Sequence, residues 1–121
     1  MKNESDNVLL TKTYDFAKSI VLECKSMPAG RTYVLIEQLL KSGTSIGANS
    51  EEAVGWQSPK DFFAKLSIAY KEARESRYWL RLMRDTDVMD MNAANQLILK
   101  SEELLRIIGS IQVSMKKSGK L

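Results

Sequence analysis

One segment of the chain has a strict helical repeat. Between residues 62 and 83, small or apolar residues recur at alternating steps of four and three; they are Phe62, Leu66, Ala69, Ala73, Ser76, Leu80 and Met83. Such steps place side chains on one face of an α-helix, because each step completes about one turn. This segment therefore predicts a long helix with one buried face, which the rest of the chain must cover.

Three further segments show apolar patterns of helical period. The first has Leu10, Tyr14, Ala17, Val21 and Cys24 on one line and Leu9, Phe16, Ile20 and Met27 on the adjoining line. The second directs inward Leu35, Ile36, Leu39, Leu40, Ile46, Ala53, Val54 and Trp56. The last has Leu97, Ser101, Leu104, Ile108, Ile111 and Met115 on one line. The sequence thus predicts helices at about residues 6–27, 31–57, 59–85 and 90–117.

The breaks between these helices carry stop and start signals. Pro28 and Gly30 end the first helix, and Ser58, Pro59 and Asp61 suit the N-cap and first turn of the third. Connections this short turn each helix back on the one before it. We therefore expect an all-α fold, an antiparallel up-down-up-down four-helix bundle. At this length we expect one domain, 1–121, with residues 1–5 and 118–121 frayed.

The chain contains no histidine. This absence removes the Ser-His-Asp and Cys-His catalytic arrangements, the Glu-x-x-His metal sites of helical bundles, and the common zinc sites. We therefore expect a protein that is not an enzyme, with no catalytic, metal-binding or cofactor-binding residues and no cofactor.

Residues 43–47 read GTSIG and match the G-x-S-x-G pattern of hydrolases. That pattern needs a strand before its serine and a base nearby, whereas Ser45 lies in the middle of a predicted helix. Gly43 and Gly47 instead indicate that a neighbouring backbone approaches closely. Large residues of the third helix, such as Phe62 and Trp79, are expected to fill the space.

The two central helices carry stretches that resemble one family. They are Met27-Pro28, Gln38-Leu39, Ser45 to Asn49 with Glu52-Ala53, Ser58 with Asp61-Phe62, Leu66 to Ala69, Lys71 to Ser76, and Tyr78 to Leu82. Over roughly residues 8 to 116 the chain resembles the four-helix-bundle proteins related to those encoded in intervening sequences of bacterial 23S ribosomal RNA genes, also labelled S23 proteins. Ser50 and Trp56 depart from the family pattern, which has an apolar and a smaller residue there.

The resemblance implies a four-helix bundle. It also implies self-association, since several members of the family look like homopentamers in the shape of a ring. Five chains at +3 each would carry +15, a substantial charge for attracting an anionic partner. A related branch serves as the accessory protein of diversity-generating retroelements, which binds the reverse transcriptase. The partners implied are other copies of this chain, structured RNA or DNA, and a reverse transcriptase or another ribonucleoprotein.

Basic residues line one flank of the third helix and the end of the fourth. The candidate nucleic-acid-binding residues are Lys71, Arg74, Arg77, Arg81, Arg84, Lys116 and Lys117. The four arginines recur at steps of three, four and three, a spacing of one charge sign that can follow a phosphate backbone. A solvated helix face is the equally weighted alternative.

The opposite flank of the third helix mixes apolar and acidic residues. Together with three residues of the second helix, this flank supplies the candidate interface or polar-network residues. They are Ser45, Asn49 and Glu52 on the second helix and Ile68, Glu72, Glu75, Trp79 and Leu82 on the third. Large apolar residues outside the predicted core indicate a contact with another copy. Glu72 and Glu75 repel each other, so we expect partners for them among the arginines or at Ser45 and Asn49. A metal site or acid-base catalysis by these carboxylates, or by Glu51 and Glu52, is the disfavoured alternative.

The remaining features concern the compartment. A single cysteine, Cys24, cannot form an internal disulfide, and no uncharged stretch is long enough to span a bilayer. We expect a cytoplasmic protein without membrane contact.

Two hypotheses for function follow. The first is a non-enzymatic oligomeric bundle, a pentamer by preference, that binds RNA or a nucleoprotein through its basic helix faces. The second is a protein-protein scaffold or accessory subunit, for example of a reverse transcriptase, whose arginines only keep it in solution.

Overall fold

Four α-helices account for most of the chain. The computed structural model describes residues 4–28, 30–55, 58–119 and 121, with α1 at Glu4–Lys25, α2 at Tyr33–Gly55, α3 at Pro59–Asp85 and α4 at Met91–Lys117. The predicted bounds agree with these within two residues at every end. Trp56 and Gln57, the predicted end of the second helix, lie outside the described residues.

Each helix packs against two neighbours: α1 against α2 and α4, and α3 against α2 and α4. Successive helices run antiparallel, because residues later in one helix contact residues earlier in the next. The contact pairs are Thr13–Gly47 and Ile20–Gly43, Ser42–Ser76 and Glu52–Lys65, and Phe63–Lys116 and Arg84–Asn95. The expected antiparallel four-helix bundle is therefore confirmed.

Local capping fixes where the long helices begin and end. Ser58 Oγ accepts a hydrogen bond from the Asp61 amide at 3.5 Å, with Pro59 in the first turn of α3. Asp90 Oδ2 accepts from the Ala93 amide at 3.0 Å and begins α4. Between these helices Asp87 has φ +59°, a left-handed conformation that aspartate adopts more readily than most residues and that reverses the chain.

The core follows the predicted lines except in α1. The repeat from Leu66 to Met83 is fully buried on α3, as predicted. On α1, however, Tyr14 is 65% exposed and Val21 is 38% exposed, so their predicted burial is wrong. Thr13 is buried instead, because its hydroxyl donates to the Leu9 carbonyl at 2.8 Å and so satisfies its own hydrogen bond.

The glycines of α2 allow the close approach of α1, whereas the sequence predicted that α3 would lie there. A Cβ at Gly43 would lie 3.0 Å from two side-chain carbons of Ile20, and one at Gly47 would lie 3.3 Å from the Thr13 carbonyl oxygen. The close helix approach is thus confirmed, while the expected neighbours on α3 are wrong. The serine of the GTSIG stretch donates to the Lys41 carbonyl at 2.6 Å, within its own helix.

Two serines of α2, Ser42 and Ser50, are fully buried, and Ser42 faces α3. Ser76 Oγ lies 2.9 Å from Ser42 Oγ and joins α2 to α3 inside the core. Ser50 donates to the Ile46 carbonyl at 2.8 Å. This bond satisfies the hydroxyl donor at a fully buried position.

Candidate nucleic-acid interface

The side chains of α3 divide into three sets by direction. One set faces α4, a second faces α2, and a third points away from the bundle. This third set is the outer face of α3, and its four residues are all exposed: Lys71, Arg74, Tyr78 and Arg81.

The set that faces α4 forms a ladder of contacts in constant antiparallel register. Its rungs are Phe63 with Lys116, Ser67 with Gln112, Tyr70 with Gly109, Arg77 with Glu102, and Arg84 with Asn95. Each step forward along α3 is matched by an equal step back along α4. We call this set of contacts the α3–α4 seam.

The seam divides the predicted arginine stripe. Arg77 Nε donates to Glu102 Oε2 at 2.8 Å, and Arg84 donates to Asp85 at 2.8 Å and to Asn95 at 3.0 Å. The hydrogen bond from Arg84 lowers the pKa of the Asp85 carboxyl. Two of the four arginines are therefore partnered within the bundle.

The other two arginines stand on the outer face. Arg74 and Arg81 are exposed, and within the described residues neither forms a hydrogen bond or an ion pair, although the charge of Arg81 contributes to the lowered pKa of Asp85. Lys71, also exposed, lies one turn before Arg74. From Lys71 to Arg81 the outer face runs about 15 Å along the helix axis.

A shallow cleft opens on this outer face. Its volume is about 480 Å³, and its lining residues are Ser67, Tyr70, Lys71, Arg74, Glu75, Tyr78 and Trp79. Tyr78 is 53% exposed, and its ring makes an edge contact with Trp79 at a centroid distance of 5.1 Å and an angle of 74°. Neither tyrosine was predicted as a site residue, although the two lie four residues on either side of Arg74, a spacing that places all three on neighbouring turns of one helix.

The two candidate lysines of α4 lie at the end of the bundle where α3 begins. Lys116 Nζ is 5.6 Å from the centre of the Phe63 ring, within cation-π distance. Both Lys116 and Lys117 are exposed, so they extend positive charge beyond the outer face of α3.

The set that faces α2 is held by contacts other than those expected. Lys65 Nζ lies 3.0 Å from Glu52 Oε1, so Glu52 does connect α2 to α3. Asn49, however, donates its side-chain amide to the Ser45 carbonyl at 2.8 Å, within α2. In the described structure, therefore, neither Ser45 nor Asn49 bonds to Glu72 or Glu75, and that expectation is corrected.

Glu72 lies in an unfavourable position for a charge. Burial is the main cause that raises the pKa of its carboxyl, and the nearby Glu75 carboxylate raises this pKa further. The charges of Lys71 and Lys41 act in the opposite direction and lower it. The repulsion between Glu72 and Glu75 that their spacing indicates is thus present.

The apolar residues on this side differ in burial. Ile68 is 43% exposed, whereas Trp79 and Leu82 are partly buried and Trp79 packs against the core. The prediction that Trp79 lies outside the core is therefore wrong in part. Its indole N–H is buried and has no acceptor among the described residues, so Trp79 contributes packing rather than a hydrogen bond.

The described residues contain no group of three or more acidic or cysteine side chains placed to hold a metal ion. Burial, and secondarily Glu23, raises the pKa of the Cys24 thiol to about 11, so this thiol stays protonated near neutral pH. Across the described helices, none has the length and apolar character needed to cross a membrane.

These features define a four-helix bundle with one cationic, aromatic helix face. Residues 5–110 match the model of the 23S rRNA-intervening sequence protein family, and the chain belongs to that family. A solved relative is a protein of unknown function from the S23 ribosomal protein family of Bacteroides thetaiotaomicron. It is 39% identical, and the match covers 89% of this chain and 97% of that one with a TM-score of 0.84. Among curated proteins, none matches the chain.

Proposed function

We propose that this protein is a non-enzymatic bundle that self-associates and binds structured RNA through the outer face of α3. One observation carries the proposal: Lys71, Arg74 and Arg81 stand exposed on a single helix face while Arg77 and Arg84 are partnered in the seam. Exposed cations on one helix face suit a phosphate backbone, whose neutralisation releases counterions.

The position of two lysines of α4 supports a basic surface that is wider than the outer face of α3. Lys116 and Lys117 lie beside the first turns of α3, where Lys116 contacts the Phe63 ring, so a ligand that follows the helix axis would reach them. The chain belongs to a family named for intervening sequences of 23S rRNA. An RNA ligand and action in the cytoplasm are part of our proposal.

Self-association is supported by apolar exposure on the side of α3 that faces α2. Ile68 is 43% exposed beside the partly buried Trp79 and Leu82. An assembly, by preference a pentamer, would cover these side chains and would repeat the basic face around a ring. Light scattering at micromolar concentration tests this part, and a mass near that of one 13.7 kDa chain would contradict it.

RNA binding is tested with two double variants of equal charge. Arg74→Gln with Arg81→Gln removes two outer-face cations, and Arg77→Gln with Arg84→Gln removes two seam cations from the same helix. By fluorescence anisotropy against a structured RNA, the first pair should weaken binding about tenfold and reduce the salt dependence by one to two ions. The second pair should change the affinity about twofold or less. Absence of salt-sensitive binding, or an equal effect of both pairs, contradicts the proposal.

A protein partner is the second candidate, and a separate observation favours it. Tyr14 and Leu99, on α1 and α4, are each 65% exposed, and Leu22 is 58% exposed. Phosphate contacts would not cover such side chains, whereas an accessory-subunit contact, for example with a reverse transcriptase, would. Capture of a protein that survives nuclease and high salt, and that is lost on Leu99→Lys, supports this candidate.

A further inference from the structure

We propose that the cleft on the outer face of α3 holds one unpaired base of a structured RNA, stacked on Tyr78, with the adjoining phosphates at Lys71 and Arg74. This inference rests on the proposed RNA binding and adds which part of the RNA is recognised. It predicts a preference for loops, bulges or ends over uninterrupted duplex.

The composition of the cleft carries the inference. A surface that only follows a duplex backbone needs cations, but this cleft also has two tyrosines, Tyr70 and Tyr78, beside Lys71 and Arg74. Aromatic rings next to cations are the usual means of binding unpaired nucleotides, because a base stacks on the ring while the cations hold its phosphates. A paired base cannot enter the cleft, since it is stacked inside its helix.

The ring of Tyr78 is both accessible and held in place. It is 53% exposed, and its edge contact with Trp79, which packs against the core, restrains it. A restrained aromatic ring loses little conformational entropy when a base stacks on it. Tyr14, by comparison, is 65% exposed on α1 but lines no cleft with cations among the described pockets, so it serves as a control.

One wall of the cleft is acidic and gives the site a preference among bases. Glu75 lines the cleft together with Tyr78 and Trp79. Its carboxylate repels phosphate and accepts hydrogen bonds, so the base rather than the backbone should face it. Guanine presents two adjacent N–H donors on its pairing edge and uracil presents one, so an unpaired guanine is expected to be preferred.

The test compares two RNAs by fluorescence anisotropy at one salt concentration. One is a hairpin with guanines in its loop, and the other is a fully paired duplex with the same number of phosphates. The unmodified protein should bind the hairpin about tenfold more tightly than the duplex. Tyr78→Ala should lose this preference and leave duplex binding within about twofold, whereas Tyr78→Phe and Tyr14→Ala should retain it. Glu75→Gln should reduce the preference for a guanine loop over a uracil loop.

The outcomes separate the two proposals. If the protein binds neither RNA, the proposed RNA binding fails. If it binds both equally and Tyr78→Ala changes nothing, the base-binding cleft is rejected while RNA binding stands. Circular dichroism and thermal unfolding of each variant identify any loss that comes from misfolding, and Tyr78→Phe, which keeps the ring, then decides the role of stacking.

Discussion

Arg77 and Glu102 join α3 to α4 through a charged hydrogen bond of 2.8 Å between Nε and Oε2. The two side chains are 37% and 31% exposed, so water screens the pair only in part. The bond is the fourth of the five rungs of the seam, and the other rungs keep the same register. Arg77 therefore contributes to the stability of the bundle, although the sequence alone does not distinguish it from the other three arginines of the stripe.

Removal of either partner should lower stability modestly. For Arg77→Gln or Glu102→Gln we expect a loss of about 1 kcal/mol, or a fall in Tm of roughly 4 °C, as is typical of half-exposed ion pairs. A double-mutant cycle in urea should give a coupling of about 0.5 to 1 kcal/mol that shrinks in high salt. A coupling of zero would show that the contact contributes nothing to folding.

The glycine contact between α1 and α2 predicts an unusual response to alanine. Alanine favours helix by up to about 1 kcal/mol over glycine, yet a Cβ at Gly43 would lie 3.0 Å from Cγ1 and Cγ2 of Ile20 and 3.3 Å from its Cβ. Because the Ile20 Cβ is fixed to the backbone, the side chain cannot swing away. We expect Gly43→Ala to destabilise by about 1 kcal/mol in urea unfolding.

Two further variants check this explanation. Ile20→Ala removes the contacted Cγ atoms, so the double variant should lose less stability than the two single losses added together. Gly55→Ala is the matched control at the end of α2, where an added Cβ meets nothing within 4 Å. It should be neutral or slightly stabilising. If Gly43→Ala is equally neutral, the close approach of α1 does not limit the side chain at this position.

These contacts mark the limit of what the sequence can predict. The repeat from Phe62 to Met83 fixes a helix and its buried face, because periodicity is a property of one segment. Which neighbour meets Gly43, or which carboxylate meets Arg77, depends on how two helices slide and rotate against each other. Tyr14 was misplaced for a related reason: α1 has two adjacent apolar lines, and the face between them is chosen by packing against α2 and α4.

The buried pair of Ser42 and Ser76 predicts that alanine at one position costs more stability than alanine at the other. Ser76 Oγ lies 2.9 Å from both Ser42 Oγ and the Glu72 carbonyl, whereas the other bond of Ser42, to the Leu39 carbonyl, is 3.4 Å long. Ser76→Ala leaves Ser42 poorly satisfied and should cost about 1 kcal/mol, while Ser42→Ala should cost about half as much. The double variant should be no less stable than Ser76→Ala. Additive losses in urea unfolding would contradict the coupling.

The raised pKa of Glu72 predicts that its charge weakens the fold near neutral pH. Burial and Glu75 place the folded-state pKa above the unfolded value of about 4.3, so the folded chain binds a proton more readily than the unfolded chain. The cost of the charge is therefore present above the folded-state pKa. It declines as pH falls through that value and disappears below the unfolded pKa.

Glu72→Gln removes this cost because it cannot ionise. In urea unfolding it should be more stable than the unmodified protein at pH 7, and the advantage should shrink toward zero by about pH 3. Glu75→Gln is the companion variant: it should reduce the pH dependence without abolishing it, since burial, the larger cause, remains. A pH-independent difference, or a variant that is less stable at pH 7, would mean that the surroundings of Glu72 compensate its charge.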